Sequence, residues 1–305
     1  MNKQVSKIMN GMPTQDGAGV NLTRVIGQPA LRNLDPFLML DEIRSDNPDD
    51  YIAGFPPHPH KGFETLSYMV QGSMEHNDST GGHGLITSGG VQYMTAGKGI
   101  VHSETPKQDS GMLFGFQLWL NLPSKDKLQA PRYIDIPKEN IPIISESSAI
   151  KGKGQVKVIA GQFNGEGEVG PVVRDDIQAE IYDITLASGV LETSILDEKR
   201  GFIYVYQGEI TVNGSKVAAK QVAVLSEGEV INIKNDHTDT NFSTQTHSGS
   251  PIGSHVGCSA ESEAGFLLLA ATPIGEPIVQ YGPFVMNKMS EIDTALKDYQ
   301  SGHFV

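Results

Sequence analysis

Short segments in which apolar and polar residues alternate, or in which β-branched residues cluster, recur along most of the chain. Examples are FETLSYMVQG, MLFGFQLWLNLP, AEIYDITLASG, GFIYVYQGEITVNG and QVAVLSEGEVINI. A period of two is typical of strands with one buried face, and 34 glycines and 17 prolines supply turns between the segments. Turns recur at roughly 8–12-residue spacing, which predicts an all-β fold, either a sandwich or a barrel.

A helical pattern is confined to the last residues. Ser290 is placed to cap a first turn, with Asp293 three residues later. Four apolar residues beyond it would share one helix face: Ile292, Ala295, Leu296 and Tyr299. This spacing predicts one short C-terminal helix that packs back onto a barrel.

The chain resembles itself at a distance. KGFETLSYMVQGSM, followed by GLITSGGVQYM, recurs in outline as RGFIYVYQGEITVNG, followed by VAVLSEGEVINI. In this alignment the turn residue Gly72 corresponds to Gly208, and the pair Gly89 and Gly90 corresponds to Gly228. A repeated order of strand, turn and strand predicts two related β-domains in tandem.

The two predicted domains meet in a segment rich in Pro, Lys and Ser, between Pro123 and Val156. We place the domains at residues 1–135 and 136–305. The stretch 237–265 is dominated by Ser, Thr, Gly and His and is expected to be an exposed loop inserted in the second domain. Three residues of that stretch are possible metal ligands, although their spacing matches no compact site: His247, His255 and Cys258.

Charge and cysteine content narrow the classes of partner. Lys and Arg total 23 while Asp and Glu total 36, and the formal charge of -13 disfavours direct binding to nucleic-acid phosphates. Cys258 is the single cysteine, so an internal disulfide is excluded. We find neither a leader pattern nor a run of ~18 apolar residues, and therefore expect a cytoplasmic protein with no membrane partner.

Two short motifs predict a metal site. His58 and His60 are one residue apart, so in a strand their side chains would share a face roughly 6.6 Å apart. His102 and Glu104 repeat that spacing, and Glu64 joins the first face if its strand stays regular. Imidazoles with a carboxylate suit Fe(II), Mn, Ni, Zn or Cu better than Ca or Mg. A surface pair of histidines is the simpler reading of one motif, but the second motif favours a metal site.

The same motifs, HPHKGFET and QYMTAGKGIVHSE, resemble the pirin family of the cupin superfamily. The segments LRNLDPFLMLDE, FGFQLWLNLP and GEPIVQYGPFVMN also resemble pirin segments in the same order, so the resemblance covers essentially the whole chain. It implies a bicupin, with two jelly-roll barrels packed face to face and one metal in the N-terminal barrel. The second barrel is expected to hold no metal.

The resemblance also implies a ligand set. In pirins the ligands are the two histidines of the first motif and the His and Glu of the second, which here are His58, His60, His102 and Glu104. Generic cupins take their carboxylate from the first motif, at the place of Glu64. We favour the pirin set because Gly62 can bend the strand before Glu64, which leaves Glu64 as a residue that orients an imidazole.

Some bacterial pirins are quercetin 2,3-dioxygenases, so the resemblance implies a metal-dependent dioxygenase that opens a flavonol or related enolic compound with O2 and releases CO. Fe(II) is the expected ion, with Mn, Ni, Cu or Zn as alternatives, and Glu104 or Glu64 is the expected general base. The alternative is a regulatory protein. Eukaryotic pirins are iron-dependent binding modules for transcriptional regulators, and a modulator of a metabolic enzyme would equally lack significant catalysis.

Alternation also divides one strand into two faces. In MLFGFQLWLNLP, alternation places four residues on one face: Phe114, Phe116, Leu118 and Leu120. Gln117 and Trp119 lie on the other face. The simpler interpretation is that this face meets an interface, and the alternative is that Gln117 and Trp119 face the cavity.

Overall fold

The computed structural model describes residues 1–235 and 263–304. Strands make up most of this part of the chain and one helix follows them, which confirms the predicted all-β fold with a short C-terminal helix. The loop expected at 237–265 lies outside the described residues except for its last three, and Ala264 already begins a strand. The possible ligands in that loop also lie outside them: His247, His255 and Cys258.

The first half of the chain folds into two facing antiparallel sheets. Its strands are β1 (Val5–Asn10), β2 (Met12–Asp16), β3 (Val20–Ile26), β4 (Phe37–Ser45), β5 (Phe55–His60), β6 (Phe63–Gln71), β7 (Ser73–Asp78), β8 (His83–Thr87), β9 (Val91–Thr95), β10 (Ile100–Pro106), β11 (Leu113–Asn121) and β12 (Arg132–Ile136). One sheet has the order β5-β10-β7-β8 and the other β12-β9-β6-β11-β4-β3-β2. Apolar side chains from both sheets, such as Met74 and Ile86 against Ile43 and Met69, pack together and fill a barrel.

The second half forms a ten-stranded sheet. Besides β1, its strands are β13 (Ile143–Ile144), β14 (Ile150–Ala160), β15 (Glu180–Ser194), β16 (Arg200–Gln207), β17 (Glu209–Val212), β18 (Ser215–Ala218), β19 (Gln221–Leu225), β20 (Val230–Asn235) and β21 (Ala264–Ala271). Short 3-10 turns lie at Pro48–Asp50 in the first half, and at Lys138–Asn140 and Phe163–Gly165 in the second. The sheet has the strand order β1-β19-β16-β21-β15-β20-β17-β18, with β13 and β14 beside β15, and it curls around its own apolar core.

The strand pairing of the two halves repeats. β6 pairs with β9 and β11 as β16 pairs with β19 and β21, and β7 pairs with β8 and β10 as β17 pairs with β18 and β20. The predicted internal repeat is therefore present, and Gly72 and Gly208 occupy equivalent turns. The predicted correspondence of Gly89 and Gly90 with Gly228 is wrong by one strand. The turn at Gly89 and Gly90 corresponds to the turn at Lys220. Lys220 has a φ of 64°, in the region that usually favours glycine.

The largest apolar cluster lies between the two halves. Phe116 and Leu118 of β11 point away from the first barrel and pack with Phe202 and Tyr204 of β16. Aromatic rings continue this contact, with Phe116 and Tyr206 centroids 5.5 Å apart. Strand β11 is thus buried on both faces, one toward the second half and one toward the interior of the first barrel.

Both ends of the described chain cross to the opposite half. β1 pairs antiparallel with β19, which places the first strand in the second sheet. The hairpin β22 (Val279–Tyr281) and β23 (Phe284–Met286) lies on the first barrel, where the Lys61 amide donates to Pro283 O at 3.1 Å. The sheets change over between β12 and β13, near the boundary expected at 135/136. Division into separately folding domains stays a prediction.

The terminal helix α1 (Met289–Ser301) follows this hairpin and buries Ile292 and Ala295. The same cluster contains Phe284 and Val101, so the helix packs back onto the first barrel as predicted. Ser290 lies inside the helix and is not its cap. Instead the Glu291 carboxylate accepts from the Lys288 amide at 3.0 Å, and so closes the first turn.

Among the described residues, no helix is both long enough and apolar enough to cross a membrane.

Candidate metal centre

Three of the predicted ligands meet in the interior of the first barrel. β5 and β10 are antiparallel neighbours, and His58 lies directly opposite His102 in their register. The Nε2 atoms of His58 and His60 are 3.0 Å apart, and the His102 ring is 4.4 Å from His58 and 4.8 Å from His60 between centroids. One nitrogen from each ring lies within 4.8 Å of the other two, which is close enough for a shared ion.

The surroundings of these rings suit neutral nitrogen donors. Burial lowers the pKa of His60 and of His102 well below the usual value, and the neighbouring imidazoles act in the same direction. His102 is only 2% exposed, and among the described residues its Nε2 has no hydrogen-bond partner. A buried nitrogen without a partner is costly. A transition-metal ion between the three rings would supply that partner, so these residues fit such an ion.

Glu104 lies close by without joining the three-histidine cluster. Its carboxylate accepts from Ser67 Oγ at 3.1 Å and from Gln117 Nε2 at 2.8 Å. Glu104 is not a member of the group formed by the three histidines, and the β10–β5 register shifts between His102 and Glu104. Each carboxylate oxygen keeps a second lone pair. A role for Glu104 as fourth ligand therefore stays a prediction.

Glu64 does not share the face of His58 and His60. Gly62 has a φ of +87° and a Cβ there would lie 2.1 Å from Val285 O, so the chain turns sharply between β5 and β6. The alternation restarts with Phe63, whose ring packs 5.1 Å from that of His60. Glu64 then points to the opposite side of its strand.

The carboxylate of Glu64 has other partners. It accepts from the Tyr93 hydroxyl, from Thr95 Oγ1 at 2.7 Å and from the guanidinium of Arg174. Within the described part of the chain no imidazole contacts it, which gives no support to the expected role in orienting a histidine. Because the Glu64 carboxylate is already held by three donors, we retain only Glu104 as the expected proton acceptor.

Arg174 is a buried cation that the sequence did not single out. It belongs to the second half, is 7% exposed, and also binds Asn121 O at 3.0 Å and Asp176 at 2.8 Å. Its pairing with Glu64 therefore joins the two halves. No local motif predicts this, because the partners are 110 residues apart.

Replacing Arg174 with alanine should destabilise the fold by about 3–5 kcal/mol, since it leaves the buried Glu64 carboxylate without its cation. Urea denaturation of both proteins measures this change in the free energy of unfolding. Lys151→Ala is the matched control, because the Lys151–Glu192 pair is 59% and 45% exposed and should contribute no more than about 1 kcal/mol. A loss below about 1 kcal/mol in Arg174→Ala would contradict the assignment.

A further group behind His102 was also missed. His76 of β7 is fully buried, its Nδ1 lies 3.2 Å from His102 Nδ1, and its Nε2 lies 2.9 Å from Asp78 Oδ2. The Tyr133 ring stacks on His76 with centroids 4.2 Å apart. Alternation in SMEHND places His76 and Asp78 on one face, but the contact with His102 depends on the β7–β10 register, which the sequence does not show.

Two of the three histidines, His58 and His60, line a cleft of about 990 Å³. Gln117 and Trp119 line it, which confirms that this face of β11 looks into the cavity. Apolar residues contribute further to the walls: Leu38, Met39, Phe55 and Ile278. Arg24 lies in the same wall and is held by Asp41 at 2.9 and 2.8 Å. The cleft therefore combines apolar side chains with several polar and charged groups.

Comparison with known proteins agrees with these features. The family model described as Pirin matches residues 19–120, and the one described as Pirin C-terminal cupin domain matches 181–258 and 253–305. A Pseudomonas aeruginosa protein named "Putative quercetin 2,3-dioxygenase" is 44% identical over 98% of this chain and 97% of its own length. A pirin-like protein of Caulobacter vibrioides is 40% identical over 99% of both chains. The crystal structure of a quercetin 2,3-dioxygenase from Acinetobacter baumannii superposes with a TM-score of 0.83 and 29% identity, covering 100% of this chain and 99% of that one.

Proposed function

Because the chain belongs to the pirin family, we propose that it is a metal-dependent dioxygenase of the quercetin 2,3-dioxygenase type. It would open a flavonol or a related enolic aromatic compound, insert both atoms of O2 into the product and release CO. The observation that carries this proposal is the cluster of His58, His60 and His102, of which His58 and His60 line a cleft of about 990 Å³. The activities named for the Pseudomonas and Acinetobacter proteins support it.

The three histidines would hold one divalent transition-metal ion, with Glu104 as the proposed carboxylate of the site. Fe(II) is the expected ion, and Mn, Ni, Cu or Zn are alternatives, because imidazole donors accept all of them. When bound, such an ion would supply Lewis acidity toward an enolic oxygen.

Glu104 is the proposed acceptor of the substrate's hydroxyl proton. Ser67 and Gln117 each donate to one of its oxygens and so hold the carboxylate in one orientation. Gln117, which donates to Glu104, lines the cleft that a substrate would fill, and this contact supports the proposal. The proton would stay on Glu104 while the ring is opened, and would return to the product.

The walls of the cleft suit a flat aromatic substrate. Trp119 is held by contact with Phe63, whose ring lies 4.3 Å away, and by a hydrogen bond of 3.4 Å from its Nε1 to Gln117 Oε1. Trp119 therefore presents a fixed surface on which an aromatic ring can pack. Phe55 and Leu38 exclude water from the same space.

The proposal is tested by loading metal-free protein separately with Fe(II), Mn(II), Ni(II), Cu(II) or Zn(II) and adding quercetin in air. We expect at least one metal to cause loss of the flavonol absorbance together with stoichiometric CO. Metal-free protein kept in a chelator is the control for background oxidation. Absence of quercetin consumption with every metal would contradict the dioxygenase. The regulatory alternative would then require a protein partner whose affinity differs between the Fe(II) and Fe(III) forms.

A further inference from the structure

We propose that Asp78 and His76 position His102 by fixing the tautomer of its imidazole, so that His102 Nε2 presents a lone pair to the metal. This inference rests on the proposed use of His102 as a ligand. It assigns a function to two buried residues that are not themselves members of the three-histidine cluster.

The side chains form a continuous chain of contacts. Asp78 Oδ2 lies 2.9 Å from His76 Nε2, and His76 Nδ1 lies 3.2 Å from His102 Nδ1. The side chains of Asp78 and His76 are fully buried, and His102 Nε2, at the far end, has no hydrogen-bond partner among the described residues. Tyr133 stacks on the His76 ring and limits its rotation.

The position of each proton in this series of contacts follows from the charge of Asp78. An ionised carboxylate can only accept, so His76 must carry its proton on Nε2. A neutral His76 then offers a lone pair on Nδ1, and His102 must donate to it from its own Nδ1. His102 is left with a lone pair on Nε2, which is the form that binds a metal.

Asp78 is itself locked in orientation. Its Oδ1 accepts from the Thr80 amide at 2.7 Å, the Thr80 hydroxyl at 2.6 Å and the Gly82 amide at 3.0 Å. In an Asp78→Asn variant the single carbonyl oxygen must stay with these three donors, so the amide NH2 group would face His76. His76 would then accept at Nε2 and donate from Nδ1, and His102 would be driven to the tautomer with its proton on Nε2.

The experiment reads tautomers and metal affinity in the whole protein. Histidine 15N NMR of the metal-free wild type should show His76 protonated on Nε2 and His102 on Nδ1. Zinc, a redox-inert probe, should bind Asp78→Asn about 10- to 100-fold more weakly in competition with a chromophoric chelator, as is usual when the residue behind a metal ligand is lost. His76→Phe keeps a ring against Tyr133, removes the acceptor, and should weaken binding in the same way.

Glu75→Gln is the matched control, because Glu75 is on the same strand but binds Lys107 at 2.7 Å and His83 at 3.4 Å, away from His102. Its zinc affinity should equal that of the wild type. Wild-type affinity in both Asp78→Asn and His76→Phe, or a wild-type His102 protonated on Nε2, would overturn this proposal alone. A wild type that binds no zinc would overturn the metal site as well. If one variant does not fold, the other variant and the wild-type tautomers decide.

Discussion

Replacing His102 with alanine should remove the proposed metal from the protein and abolish the proposed consumption of quercetin. His102 lies opposite His58 and supplies one of the three clustered nitrogens, so its loss leaves two donors for an ion that needs at least three from the protein. We expect the affinity to fall by more than ~100-fold, which is the upper end of the effect of losing a residue behind a ligand. Elemental analysis and chelator competition measure the loss.

His83→Ala is the control for this variant, because the His83 side chain is 63% exposed and lies outside the cluster. That protein should retain both metal and activity. If His102→Ala protein is still isolated with one metal per chain, the assignment of His102 is wrong, whatever happens to its activity.

Replacing Glu104 with glutamine should lower kcat by ~10²- to 10⁴-fold, which is the usual contribution of a general base. The variant keeps the shape of the side chain. Ser67 can still donate to the amide oxygen, and the Gln117 amide can rotate to accept from the new NH2 group. The effect should therefore be on proton transfer and not on folding, and kcat with the loaded metal is the measurement.

Metal affinity separates the two roles predicted for Glu104. Near-normal metal binding with a low kcat indicates a base that is not a ligand, whereas a parallel loss of metal indicates a fourth ligand. Ser67→Ala is the milder control. It removes one hydrogen bond to the carboxylate and should cost no more than about tenfold. A Glu104→Gln enzyme with wild-type kcat would exclude Glu104 as the base.

The histidine cluster could be predicted because its geometry is mostly local. A spacing of two on one strand brings the side chains of His58 and His60 together in any regular strand, and the pairing of β5 with β10 then adds His102. The same rule does not extend to Glu64, as the glycine at position 62 indicated. The rule assumes an unbroken strand, and the positive φ of Gly62 resets the alternation before Glu64 is reached.

The groups that were missed depend on distant contacts. His76 reaches His102 only through the β7–β10 register, and Arg174 reaches Glu64 from the other half of the chain. Periodicity and turn residues do not encode either relation. They were sufficient for the all-β class, for the C-terminal helix and for the two faces of β11, since each of these is set by neighbouring residues.

The crossed ends of the chain impose an order of assembly during synthesis. Asn10 of β1 is 211 residues before its neighbour Gln221, so at ~5–20 residues per second the first strand waits on the order of 10–40 s for its partner. The segment around Pro283, which binds Lys61 beside His60, is made later still. The first barrel thus leaves the ribosome before the segment around Pro283 that covers it has been synthesised. The metal pocket reaches its final form only after the second half has been translated, and a stalled or truncated chain would expose its histidines.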